Sequence, residues 1–161
     1  MRFKVVPPAP DSLAALEAVH GAVPLVPDDE ESCCARLVAD AAVPSQDEAR
    51  EWLTFLRALG LAEEGQRGFS RVRTDTDRET LAAAFRETVY AAAEALEVLA
   101  AADDPLAAEA VFERLRDRVP AWERQRDAEW REVWSERVER VLDWAVVFGL
   151  AERADGGYVA A

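Results

Sequence analysis

The chain contains no isoleucine and no asparagine, and in 161 residues it has one lysine, one histidine, one methionine and two cysteines. One histidine beside an adjacent cysteine pair offers no ligand-spaced set, so a structural or catalytic metal centre is not expected. A disulfide between neighbours Cys33 and Cys34 would be strained, and a reducing compartment has no use for one. With Leu37 and Val38 at helical spacing, the two cysteines read as small buried hydrophobes. Long apolar runs are missing too. The purest, residues 144–150, falls far short of the roughly 20 residues a membrane helix needs, so no membrane partner is expected. Residues 1–10 carry two basic residues but no apolar run, so no signal peptide is expected and a cytoplasmic location follows. There is no phosphate-binding glycine loop and no Ser or Cys nucleophile with a base. The chain therefore reads as a non-enzyme with no catalytic residues and no cofactor.

What the chain does contain is acid, arginine and an internal repeat. Residues 51–72 align with residues 140–161 at a shift of 89 with no gap. Leu53, Gly60, Leu61, Ala62, Glu63 and Gly68 meet Leu142, Gly149, Leu150, Ala151, Glu152 and Gly157. Phe55 meets Trp144 and Phe69 meets Tyr158, so aromatic character is kept twice more. Self-similarity of this kind governs any reading of the fold.

Trp52, Leu53, Phe55, Leu56 and Leu59 make one apolar helical stripe. Val141, Leu142, Trp144, Ala145 and Phe148 repeat it. Ser45 is a good N-cap, with Glu48 as its capping-box partner. Gly60 and Gly149 follow the last apolar position, where a residue tolerant of positive φ ends a helix cheaply. A short strand (61–64, 150–153), a polar tip (65–68, 154–157) and a second strand opening on an aromatic then predict a β-hairpin. Each copy is expected to bury its own aromatic pair, Phe55 with Phe69 and Trp144 with Tyr158.

A helix ending in Gly-Leu-Ala-Glu and feeding a hairpin with an aromatic after the turn resembles the winged-helix domain. The resemblance covers each copy. It implies a mainly α fold with small β-hairpin wings (α+β), two winged-helix repeats joined by a helical segment. The corresponding boundaries are 1–73, a connector at 74–90, and 91–161.

Net charge is −13, with eighteen arginines to one lysine. Heavy Asp and Glu with scarce Lys and abundant Ala, Val and Arg resembles proteins of extremely halophilic archaea. In molar salt the Debye length falls to roughly 3 Å, so acidic self-repulsion is screened. The alternative is an ordinary acidic protein that avoids polyanions, since at low salt such a charge opposes DNA binding.

Along the rest of the chain, residues 2–6 place Phe3 and Val5 on one face, as a third strand for a wing sheet. A short helix follows with Leu13, Leu16 and Val19 inward, ending near His20-Gly21. His20 there suits the negative end of the helix dipole. Asp28-Asp29-Glu30-Glu31 sits over the first turn of the next helix, where carboxylates are favoured. Thr76–Glu79 reads as a capping box opening an apolar stripe, Leu81 to Leu99, which runs as one helix or breaks near Tyr90. That stripe is also a possible homodimer seam. Asp103-Asp104-Pro105 caps the following helix with Pro105 at its first position. Trp122, Trp130 and Trp134 crowd an insertion absent from the first copy, either as a Trp-rich core or as an aromatic surface for a partner protein.

By resemblance, helix 46–59 lies in the major groove of double-stranded DNA, with Arg50 and Arg57 on it. Arg67, Arg71 and Arg73 occupy the first wing, with no acid between Gln66 and Arg73. Arginine suits phosphate contact and minor-groove insertion, although a wing tip can also be simply solvated. Residues 1–73 sum to −4 (8 basic, 12 acidic) and residues 74–161 to −9 (11 basic, 20 acidic). The first copy is therefore the expected DNA contact of a transcriptional regulator. Tandem winged helices also serve as protein–protein modules in chromosome-segregation subunits and basal transcription factors, with no DNA contact.

Overall fold

Ser12 leads into α1 (Leu13–Ala22), the first helix of a computed structural model that describes residue 3 and residues 5–126 and 128–161. Helix α2 (Glu30–Asp40) is capped by Asp29, whose carboxylate accepts from the Ser32 amide at 2.7 Å. Helix α3 (Gln46–Ala58) is capped by Ser45, whose Oγ accepts from the Glu48 amide at 3.1 Å. Gly60, at φ +77°, ends α3. The Leu61 amide then reaches the Leu56 carbonyl at 2.8 Å and the Gly60 amide the Arg57 carbonyl at 3.1 Å. This double closure satisfies the last helical carbonyls and turns the chain sharply. Strands β1 (Ala62–Gly65) and β2 (Gly68–Arg71) pair antiparallel about the tip Gln66-Arg67.

Helix α4 (Arg78–Thr88) is followed by α5 (Ala92–Ala101) and α6 (Ala108–Leu115). A 3-10 turn (Arg116–Arg118) and α7 (Ala121–Arg126) have no counterpart in the first copy. Helix α8 (Trp130–Val147) then ends at Gly149, φ +75°, by the same closure: Leu150 amide to Ala145 carbonyl at 2.8 Å, Gly149 amide to Val146 carbonyl at 3.1 Å. Strands β3 (Ala151–Ala154) and β4 (Gly157–Ala160) form the second hairpin. Its tip, Asp155-Gly156, has both residues at positive φ, the arrangement that matches the twist of two-residue hairpins.

Several sequence expectations are corrected. Of residues 2–6, expected as a third wing strand, Arg2 and Lys4 lie outside the described residues, and Phe3 does not pair with either hairpin. Phe3 instead makes a parallel bridge to Val89, its amide reaching the Thr88 carbonyl at 2.8 Å. The third-strand position is filled by Asp28, bridged to Phe69, and in the second copy by Leu106, bridged to Tyr158. Each bridge exchanges two backbone hydrogen bonds of 2.8 and 3.0 Å. Asp28 is thereby drawn out of the helix, so α2 starts at Glu30. For the same reason Pro105 does not open a helix: Leu106 is strand, and α6 begins at Ala108. Asp77, not Thr76, caps α4, accepting from the Thr80 amide at 3.1 Å. Of the two courses expected for the long apolar stripe, it takes the break near Tyr90, at residues 89–91, where Ala91 has φ +70°. Thr88 Oγ1 there donates toward the carbonyls of Ala84 and Ala58, at 2.6 and 2.9 Å, tying α4 to the end of α3.

The bridges explain a glycine that both copies keep. A Cβ on Gly68 would lie 1.9 Å from the Asp28 carbonyl oxygen, and one on Gly157 would lie 2.6 Å from that of Leu106. Backbone passes too close for any side chain. Leu106 stands 78 residues after Asp28, whereas Tyr158 stands 89 after Phe69, so the second copy carries eleven extra residues between its bridge and its hairpin, part of them in the longer α8.

The core is one continuous cluster through both copies. Phe69 and Tyr158 of the hairpins are buried as expected, and Phe55 and Trp144 of the helices fully so. Phe55 and Trp144 pack on each other, ring centroids 4.4 Å apart, with Trp52 edge-on to Trp144 at 5.4 Å and Phe148 stacked on it at 5.5 Å. Phe85 of α4 joins from Phe55 at 6.4 Å and Phe148 at 5.1 Å. Cys33 and Cys34 are free and buried, as small hydrophobes would be. Burial raises both thiols above their ordinary range, with nearby Asp28 (for Cys33) and Glu30 (for Cys34) adding to it.

Candidate nucleic-acid interface

The apolar stripe of α3 fixes which of its residues can face outward. Ala49, Trp52, Leu53, Leu56 and Phe55 are buried, leaving Gln46 and Arg50 exposed and Thr54 and Arg57 half-buried along the open side. Spaced four, four and three, these four form one polar stripe. At the shift of 89, the same stripe on α8 reads Ser135, Glu139, Asp143 and Val146. Gln, Arg and Thr are side chains that hydrogen-bond base edges; Glu and Asp repel the phosphates around them. Along this one stripe α3 has two arginines and no acid and α8 two acids and no base, while Asp47, Glu48 and Glu51 flank the stripe on α3.

Both arginines of the α3 stripe already have partners. Arg50 contacts Glu30 at 3.1 Å and Asp47 at 2.6 Å, and Arg57 contacts Glu64 at 3.0 Å. Arg57 also lies over the Phe3 ring, 5.8 Å from its centroid. These pairs are about half exposed, and pairs of that kind hold only about 0–1 kcal/mol, so a phosphate can displace them at little cost.

The wing differs. Arg67 stands exposed at the two-residue tip, Arg71 at the end of β2, and Arg73 exposed just beyond. Among the described residues none of the three makes an ion pair, in a chain with 32 acidic side chains. Arg71 Nε is buried with no hydrogen-bond partner. The backbone under them is held firmly: the Arg71 amide reaches the Pro24 carbonyl at 2.7 Å, and His20 Nε2 donates to the Val72 carbonyl at 2.9 Å. His20 is therefore a buried tether from α1 to the wing. In the second hairpin the positions of Arg67 and Arg71 are Gly156 and Ala160.

That second hairpin is closed by a different network. Asp143 accepts from the Tyr158 hydroxyl and from Arg153 at 2.9 Å, and Arg153 lies over the Tyr158 ring at 5.3 Å. Burial, with the Asp143 carboxylate beside it, pushes Tyr158 up to about 12. In the first copy the strand residue at this place is Glu64 and its helical partner is Arg57, so the sign of the pair is reversed. The periodicity of each copy read separately gave no hint of this exchange.

The three tryptophans separate. Trp134 is buried, Trp130 half-buried, and Trp122 on α7 is 54% exposed. Arg131 and Arg124 lie over Trp130 at 5.1 and 5.8 Å, and Arg137 over Trp134 at 4.9 Å. No group of three or more His, Cys, Asp or Glu among the described residues is placed to hold a metal. No described helix is long and apolar enough to cross a membrane.

No curated protein and no solved structure matches the chain. A family model does match, over residues 1–161. The chain belongs to the halobacterial double winged helix domain family.

Proposed function

We propose that this is a non-catalytic, DNA-binding transcriptional regulator in which the first copy contacts double-stranded DNA and the second does not. The observation that carries the reading is the wing trio. Arg67, Arg71 and Arg73 make no ion pair among the described residues, whereas Arg50 and Arg57 of the adjoining helix each hold an acid. Unpaired guanidinium groups on a rigid hairpin can take phosphate oxygens without first giving up a partner. Arg50 and Arg57 lie on the open stripe of the adjoining helix and complete the proposed DNA-binding surface. A halophilic cytoplasm, with the acidic surface screened, is the setting in which a net charge of −13 tolerates a polyanion.

The test is fluorescence anisotropy with labelled genomic duplexes in molar KCl. Arg67→Glu with Arg71→Glu should weaken binding and flatten its salt dependence, by about 0.9 in slope for each phosphate no longer neutralised. An unchanged slope removes these arginines from the interface.

A second reading is favoured by Trp122, half exposed beside Trp130 and Trp134 on the segment unique to the second copy. Here the chain is a protein–protein module with no DNA contact, and these tryptophans meet the partner. Full-length protein that binds no duplex at any salt, together with a partner released by Trp122→Ala, would favour this reading over the first.

A further inference from the structure

We propose that a cleft in the second copy is the docking site for the first wing of another molecule of this chain. The cleft, about 710 Å³, lies between the open side of α8, the start of α6 and the tip of the second hairpin. Glu109, Glu139 and Asp155 line it, all three exposed and none in an ion pair among the described residues. Arg153 lines it too, but holds Asp143 at 2.9 Å, so that pair cancels and the three carboxylates set the sign. Ala108, Ala154 and Gly156 line the rest, and side chains this small let a hairpin backbone come close.

Three carboxylates repel phosphate and call for a cationic partner that can approach as a slim projection. The chain carries one itself. Arg67 is exposed on a two-residue tip, the tightest end a hairpin presents, and Arg73 is exposed just beyond β2. Neither makes an ion pair among the described residues, so wing and cleft do not satisfy each other within one molecule. Between molecules they are complementary, guanidinium to carboxylate. In molar salt, screening over roughly 3 Å damps the repulsion between two chains of charge −13 and spares ion pairs in direct contact. Each molecule has one wing and one cleft, so a two-fold arrangement makes both contacts and closes as a dimer.

This inference goes beyond DNA binding and stands without it. Where both hold, pairing at high concentration covers the wing arginines, and dilution to single chains opens them to DNA.

The experiment is sedimentation velocity of the full-length protein in molar KCl without DNA, over a concentration series. The native chain should shift from monomer to dimer. Arg67→Glu with Arg73→Glu should weaken pairing by at least about tenfold, and so should Glu109→Arg with Glu139→Arg. An equimolar mixture of the two variants should pair again, since each reversed wing then meets a reversed cleft. Arg67→Gln with Arg73→Gln, at exposed positions, should also weaken pairing and keeps the test decisive should a reversal disturb folding. Three results would overturn the proposal: a native chain that stays monomeric up to about 1 mM, variants that pair as the native chain does, or a mixture of variants with native circular dichroism that stays monomeric.

Discussion

Glu51 and Arg140 stand 89 residues apart, at the same place in the two copies, and their side chains meet as an ion pair at 3.0 Å. One turn further on, Phe55 and Trp144, again equivalent, pack at 4.4 Å. Equivalent residues of α3 and α8 therefore meet each other directly. Arg140 also donates to the Val6 carbonyl at 3.0 Å and Trp144 Nε1 to the Pro7 carbonyl at 2.8 Å, so the segment before α1 is clamped at the same place. The duplicated helices cover each other.

Trp144→Ala should therefore cost about 3–5 kcal/mol of total stability, far more than a surface change on α8. If residues 1–73 and 91–161 are the two domains, as we propose, neither should fold alone as well as in the full chain. Urea unfolding of a 1–73 fragment should be broad or absent, because Phe55 is left without its cover. A cooperative transition in that fragment matching the intact protein would contradict the shared core.

Two glycines of the first copy should respond very differently to alanine. Gly60 has positive φ but open space around it, so Gly60→Ala should cost about 1–2 kcal/mol. At Gly68 the new methyl would collide with the Asp28 carbonyl backbone, and the bridge to Phe69 must open. Gly68→Ala should lose more stability than Gly60→Ala, and faster amide exchange at Asp28 and Phe69 would locate the damage.

Tyr158 gives a pH signature. Its folded value is raised from 10 to about 12, chiefly by burial and then by Asp143, so the folded state holds the proton more tightly. The resulting stabilisation is complete below pH 10 and is lost as pH rises toward 12. Urea midpoints measured from pH 8 to 12 should fall across that window in the native sequence. Tyr158→Phe should flatten the fall.

Asp47 holds Arg50 at 2.6 Å on the open stripe of α3. If that stripe meets DNA, Asp47→Asn should tighten binding by a few-fold, since exposed pairs of this kind are worth about 0.2–1 kcal/mol. A change at Glu139, the equivalent of Arg50, should leave affinity unchanged. Equal effects at both positions would remove the distinction between the copies.

Cys33 and Cys34 are wholly buried, and burial disfavours their thiolates. A thiol reagent should label neither in the native protein and both in urea. Prompt labelling of the folded chain would show that the α2 face opens readily.

The sequence by itself determined the two helix–hairpin units, their glycine-ended helices, the Ser45 cap and the buried cysteines. Those features rest on interactions within a few residues: 3.6-residue periodicity, caps, and tips that need particular φ values. It also placed arginines on one wing and acids on the other copy. Only the tertiary structure decided that Asp28 and Leu106 would be strand, because their hydrogen-bond partners lie 41 and 52 residues away. The same holds for Phe55 against Trp144, for Arg140 against Glu51, and for the cleft beside Glu139. Periodicity tells which face of a helix is apolar. It carries no information about which other face will cover it, since burial rewards apolar area without regard to its source.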